Sequence, residues 1–284
     1  MTDTHMAAPA PGPVGSGAAA DAASGAGSSA EPDGGMGGRG TRADRWRPLR
    51  RPDVWLPLAL LGIYLVLWVL VLARPNFLTS FDLWVRNHVQ DRAHSDFDGA
   101  HRWPLVKDVA DLGGGVAVHK VPVRVQLAMA LLGVVALAAA AVRCSWRPLA
   151  AGAAGYATLG LVLVLKAAGN RPGPSMAGQA FTDGLGYFPS GHTGTTMAGY
   201  GTSVLILAFV FTARWMRLVL AAGMTLLALA VGAALVWMDY HWLSDVLGSY
   251  ALCGAALFVV ARILGFRLQP PKVDSPSERV RSTV

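Results

Sequence analysis

The sequence predicts an all-α protein, a six-helix transmembrane bundle behind a disordered N-terminal tail. Three observations predict it. Of 284 residues, 53% are hydrophobic and only 14% charged, against about 25% charged in a typical soluble domain. Six apolar stretches approach the roughly 20 residues that a helix needs to cross a ~30 Å hydrocarbon layer. Before them, residues 1–45 are mostly Ala, Gly, Ser and Pro, a composition that buries too little apolar surface to offset the entropy of ordering.

Taken in order, the tail has no apolar run behind a short basic start, so it is expected to be a cytoplasmic extension and not a signal peptide. The first span is expected over residues 54–73 and is the most uniformly apolar. Spans two and three, 125–142 and 149–165, are rich in Ala and Gly; small side chains let helix backbones approach closely in a membrane bundle. Spans four to six are expected over 193–213, 218–237 and 243–264. The membrane domain is therefore taken as 46–268, with 269–284 a second cytoplasmic tail. The 50-residue stretch 74–123 lies between the first two spans. Its apolar Phe81, Leu83, Trp84 and Val85 are mixed with the polar Asp82, Arg86, Asn87 and His88, which suits an amphipathic helix at the outer interface. Phe81, Trp84 and Trp103 suit interfacial anchors. Cys144 and Cys253 fall at different depths and are expected to stay unpaired.

Charge sets the orientation. Lys and Arg number 24 against 17 Asp and Glu, a net charge of +7. Fifteen of the 24 fall before span one, in the loops joining spans two to three and four to five, or at and beyond the end of span six. The positive-inside rule then makes both termini of this cell-membrane protein cytoplasmic. The same placement explains the basic cluster Arg39–Arg51 as a membrane anchor, which removes the case for nucleic acid.

Three polar clusters stand at span ends, and the alternation of spans puts all three at the extracytoplasmic face. The first holds Lys166 and Arg171-Pro172, suited either to snorkelling or to clamping a phosphate, with Arg171 as a bidentate donor. The second is Pro189-Ser190-Gly191-His192. Ser190 suits a helix cap, while free N–H groups at a helix start and Gly191 suit an anion, with His192 as a proton donor beside it. The third is His241-x-x-x-Asp245. Four residues apart, the two are expected on one side of a helix, Asp245 fixing the imidazole tautomer and freeing the other ring nitrogen as nucleophile. Two His and one Asp also admit a metal site.

These residues resemble the type 2 phosphatidic acid phosphatase superfamily of membrane lipid phosphatases. Pro189-Ser190-Gly191-His192 is similar to its central motif, and His241-x-x-x-Asp245-Val246-Leu247-Gly248 to the end of its third. The resemblance implies six transmembrane helices with the site near one membrane face. It implies that His241 attacks phosphorus to form a phosphohistidine, that Asp245 orients its ring, and that His192 protonates the leaving oxygen and then activates water. Lys166, Arg171, Ser190 and the Gly191 amide would hold phosphate oxygens, with no cofactor or metal. The substrate implied is a lipid phosphate or a polyprenyl diphosphate. Two departures stand out. The family's Arg-Pro after the motif-one lysine falls here on Gly173-Pro174, with Arg171-Pro172 two residues early. The Ser-Arg of its third motif falls on Ala234 and Leu235. The third motif without its arginine is also similar to sphingolipid headgroup transferases, in which an alcohol replaces water and Asp239 would bear on acceptor choice. A phosphotransferase and a catalytically inactive membrane protein are the competing readings.

Overall fold

In a computed structural model, residues 52–93, 103–114, 122–176 and 186–266 are described, and among them all regular structure is helical. The predicted tails, 1–45 and 269–284, lie outside the described residues. Eight helices follow one another: α1 (Pro52–Ala73), α2 (Asn76–Ala93), α3 (Pro104–Ala110), α4 (Val123–Arg143), α5 (Arg147–Gly169), α6 (Gly191–Val210), α7 (Arg214–Trp237) and α8 (Leu243–Leu264). Helices α1 and α4 to α8 are long and apolar enough to cross a membrane, as the sequence predicts.

Their ends correct the expected boundaries. Helix α4 covers Val123–Arg143 and α5 covers Arg147–Gly169, because polar end residues continue the helix past the apolar run. Pro148 sits in the first turn of α5, where its missing N–H costs nothing, and Asn170 ends the helix at a left-handed φ of 38°. Lys166 consequently lies inside the last turn of α5 and not beyond it. Helix α6 starts two residues early, at Gly191, and stops at Val210, where Phe211 turns extended. Helix α7 begins at Arg214 in place of residue 218.

Helix α6 is the most buried of the six and α1 the least. The cause is compositional. Helix α6 carries Thr, Ser and Gly, which pack closely and need neighbours. Helix α1 presents Leu58, Ile63, Leu65, Val66, Val69 and Leu72 outward, a continuous apolar face suited to lipid. Its inner face, through Tyr64, Trp68 and Val71, packs with Leu252 and Cys253 of α8 and with Phe188. A second cluster joins Leu132, Ala136, Ala151, Ile206 and Val260, from α4, α5, α6 and α8. At Gly155 the approach is close: a Cβ there would lie 3.1 Å from the Ala198 carbonyl oxygen of α6. Cys144 is exposed at the α4–α5 turn while Cys253 is fully buried, and both are free.

The stretch between spans one and two contains the predicted amphipathic helix as α2, with Phe81 and Trp84 exposed. It also contains α3, a helix of 7 residues, far short of the length that crosses a membrane. Helix α3 packs through Val106, Val109 and Ala110 on Val231, Leu235 and Val246.

Deleting the fully buried Ile206 side chain (Ile206→Ala) is expected to cost about 2–5 kcal/mol, the usual range for a core truncation. Leu65→Ala, on the outward face of α1, should stay within about 0.5 kcal/mol. Thermal unfolding in detergent reads both, and equal losses would mean that α6 is not the packed centre.

Candidate active site

The three sequence clusters meet at one end of the bundle. Helix α5 delivers Lys166 in its last turn, and the returning chain is tied back there. The Gly186 N–H donates to the Lys166 carbonyl at 3.1 Å and the Tyr187 N–H to the Arg171 carbonyl at 2.8 Å. Ser190 then caps α6: its Oγ accepts the Thr193 N–H at 3.3 Å, and its own N–H donates to the Asp245 carbonyl at 3.1 Å. Capping leaves the first amides of α6, at Gly191 and His192, without intrahelical partners. A Cβ on Gly191 would stand 3.7 Å from Lys166 Nζ, so the ammonium lies beside Gly191 at the helix start. Beyond His192 the helix widens to a π turn over Thr195–Gly201, where the Thr196 hydroxyl donates to the His192 carbonyl at 2.9 Å. Such turns recur at functional sites.

His241 enters from the turn between α7 and α8. Asp239 adopts a left-handed φ of 57°, and the Tyr240 N–H reaches back to the Leu235 carbonyl at 2.9 Å. The imidazole is buried, with its centroid 5.6 Å from that of His192 and 5.4 Å from the Tyr187 ring. Nδ1 of His241 lies 3.4 Å from Oδ2 of Asp245. The expected reason for that pairing needs correction. His241 precedes α8, so the two residues do not share a helical face. Asp245 instead turns back over the helix start, accepting the Trp242 N–H at 3.2 Å with the same Oδ2 that faces His241.

Arg171 is brought to the site, but into a carboxylate cage. Its Nη1 donates to Asp245 Oδ1 and Ser244 Oγ, each at 2.6 Å, and its Nη2 to Asp82 Oδ2 at 2.7 Å. Asp82, from α2, is 1% exposed and also accepts the Ser244 N–H at 3.1 Å and hydroxyl at 2.6 Å. One turn along α2, Arg86 makes a two-pronged pair with Asp239 at 2.8 and 2.7 Å. Asp82, Arg86, Ser244 and Tyr187 were not among the residues that sequence reasoning selected.

The two vacated arginine positions are filled. Gly173 is buried, and a Cβ there would meet the Tyr187 ring at 2.5 Å. Ala234 and Leu235 are buried in the apolar contact with α3. Gly113 and Gly114, after α3, cover His192: a Cβ on Gly114 would lie 2.9 Å from its ring. Nε2 of His192 is buried with no hydrogen-bond partner among the described residues. Among those residues, no group of three or more His, Cys, Asp or Glu is placed to hold a metal ion.

A family model described as the PAP2 superfamily matches residues 127–269. The chain belongs to the PAP2 superfamily. Among solved structures it is similar to the first transmembrane PAP2 type phosphatidylglycerolphosphate phosphatase from Bacillus subtilis, at 19% identity and a TM-score of 0.57 over 72% of this chain and 94% of that one. At that identity the likeness concerns the fold. No curated protein matches the chain. The region matching the PAP2 model begins within α4, so α2, with Asp82 and Arg86, lies outside it.

Burial sets the electrostatics of this PAP2 site. It pushes His241 below its ordinary value, although the Asp245 hydrogen bond pulls the other way, so the imidazole is neutral near pH 7. Burial also raises the Tyr187 phenol. Hydrogen bonding to Asp239 raises Arg86 and fixes its charge.

Restoring the arginine at the vacated first-motif position is expected to harm the protein. Gly173→Arg should lower the unfolding temperature in detergent by an overpacking cost of about 1–3 kcal/mol. An unchanged midpoint would show that Tyr187 swings aside freely.

Proposed function

We propose that this PAP2 protein is a membrane phosphatase that hydrolyses a lipid phosphate or polyprenyl diphosphate at the extracytoplasmic face through a phosphohistidine. The observation that carries the reading is the edge-on approach of two imidazoles, the buried His241 and the half-buried His192, with centroids 5.6 Å apart, beside Lys166 and the start of α6. His241 Nε2 attacks phosphorus while the bond to the lipid oxygen breaks. The Nδ1–H donates to Asp245, which steadies the cationic ring. His192 gives its proton to the departing oxygen, which leaves as the lipid alcohol from a monophosphate or as the polyprenyl monophosphate from a diphosphate. It then takes a proton from water, whose oxygen attacks phosphorus and breaks the P–N bond to release inorganic phosphate.

Lys166, the Gly191 amide and the Ser190 hydroxyl hold phosphate oxygens where charge builds. Arg171 contributes a donor to the same region, although its guanidinium is already shared by Asp82 and Asp245. An apolar cavity lined by Leu70, Val71, Leu78, Leu83, Pro172 and Trp242 runs beside Arg171 and supports a substrate with a hydrocarbon chain. The charge distribution along the chain supports cytoplasmic termini. No metal or cofactor enters the scheme.

The burial of Leu235 at the usual arginine position favours one second reading, transfer of the phosphoryl group to an alcohol. It would appear as acceptor-dependent product without phosphate release. Release from neither lipid and no transfer would leave an inactive PAP2 protein.

Phosphate release from phosphatidate and a polyprenyl diphosphate, in detergent with EDTA, tests the proposal. Release should survive EDTA and vanish in His241→Ala, while His192→Ala should lose roughly 10²–10⁴-fold. Loss of wild-type release with EDTA would overturn it.

The nucleophile must be unprotonated, and the buried His241 holds its proton less tightly than a free imidazole. The acid limb of kcat/KM is therefore expected below the ordinary value of about 6.5. A limb above that value would mean that the ionising group is not this histidine.

A further inference from the structure

We propose that Asp82, on the interfacial helix α2, is a positioning residue for His241 that acts through Arg171 and Ser244. The inference rests on the phosphatase reading for its kinetic consequence, though not for its geometry. Among the described residues, Asp82 is the most buried carboxylate outside the matched PAP2 region, at 1% exposure. It accepts three hydrogen bonds, two from Ser244 at the first turn of α8 and one from Arg171. Arg171 in turn places Nη1 on Asp245 Oδ1, at 2.6 Å. With Oδ1 occupied, Oδ2 is the oxygen presented to the Trp242 N–H and to Nδ1 of His241.

The relay has a definite logic. A guanidinium has five N–H donors in a rigid fork, and a carboxylate beside it is readily gripped at both oxygens. Asp82 holds one arm of that fork. Released from Asp82, Arg171 turns both arms onto Asp245 and competes with His241 for Oδ2. The turn that carries His241 is held at its other side by the same helix, since Arg86 grips Asp239. Asp82 and Arg86 are four residues apart, on one face of α2. The helix thus holds the His241 turn on both sides without either side chain touching the reacting atoms.

His241 itself offers a readout. The groups facing it are Asp245, Arg171, Lys166, His192 and Tyr187. In Asp82→Asn one negative charge is gone and Arg171 draws more fully on Asp245; both changes disfavour the imidazolium. Histidine ¹⁵N NMR of the full chain in detergent, with His241 assigned from His241→Gln, should show its titration midpoint fall by roughly one pH unit. In Asp82→Asn/Arg171→Gln the competing guanidinium is gone as well, Asp245 belongs to His241 alone, and the midpoint should rise above that of the single variant. This second variant also removes the unpaired cation, should the single one fail to fold. On phosphatidate, Asp82→Asn should lower kcat at least tenfold with KM within about twofold.

A midpoint that falls in Asp82→Asn and lies higher in the double variant than in the single one supports the relay. An unchanged midpoint in Asp82→Asn, or a double variant at or below the single one, overturns it. So does a rise in KM at constant kcat, which would place Asp82 on the substrate. Wild-type protein that releases no phosphate, with the midpoints moving as described, would defeat the phosphatase reading and leave the relay standing.

Discussion

Arg171 stands between Asp82 and Asp245, at 2.7 and 2.6 Å, and these three charged groups join α2, the end of α5 and the start of α8. Asp245 is wholly buried, Asp82 nearly so, and the guanidinium only 12% exposed. Two carboxylates against one cation leave an excess negative charge, which desolvation makes costly. The start of α8 offsets it. The Ser244 N–H donates to Asp82 and the Trp242 N–H to Asp245, and the positive end of the helix dipole faces both. A helix without that terminus at that place could not hold both acids. The position of His241 follows, because its turn is fixed by the same terminus.

The core beneath explains why this end is rigid enough to matter. Ser190, at the start of α6, donates its N–H to the Asp245 carbonyl and accepts at its own carbonyl from the Ser249 hydroxyl, at 3.1 and 2.8 Å. The starts of α6 and α8 are therefore stitched together through the Ser190 N–H and carbonyl. Phe188 plugs the space below, stacked at 6.0 Å on Tyr64 and against Gly248, where a Cβ would come within 2.6 Å of its ring. The glycine that ends the third motif is thus a packing requirement.

Much of this was legible in the sequence. Spans read well because lipid demands a long apolar run from each helix alone. Pro189–His192 and His241–Asp245 stood out because each is a contiguous segment whose chemistry is local. The reason given for His241 and Asp245 was nevertheless wrong, since spacing cannot say that a helix begins between them. Asp82 and Arg86 were hidden for a deeper reason. An amphipathic pattern shows which residues share a helical face but not what that face meets, and the partners lie 162 and 153 positions away. Gly173 looked like a lost arginine. Only the Tyr187 ring against it shows that the position has no room for one.

The cations at the site are unevenly free, and this bears on how the proposed reaction would be driven. Arg86 is engaged by Asp239, and Arg171 by two carboxylates. Lys166 makes no ion pair among the described residues and rests near the Tyr187 ring, 5.8 Å from its centroid. A phosphate would then meet one ammonium and the helix-start amides in place of a ring of arginines. An ammonium is a point charge without the bidentate fit of a guanidinium, so it constrains phosphate geometry less. On the proposed reading, orientation of phosphorus toward Nε2 of His241 must come from elsewhere. The apolar cavity beside Arg171 and Trp242 can fix the lipid, and the Gly191 amide can fix one oxygen. Binding energy from the hydrocarbon chain would then be used to align the reacting group, which makes the membrane-embedded part of the substrate, more than its charge, the source of rate.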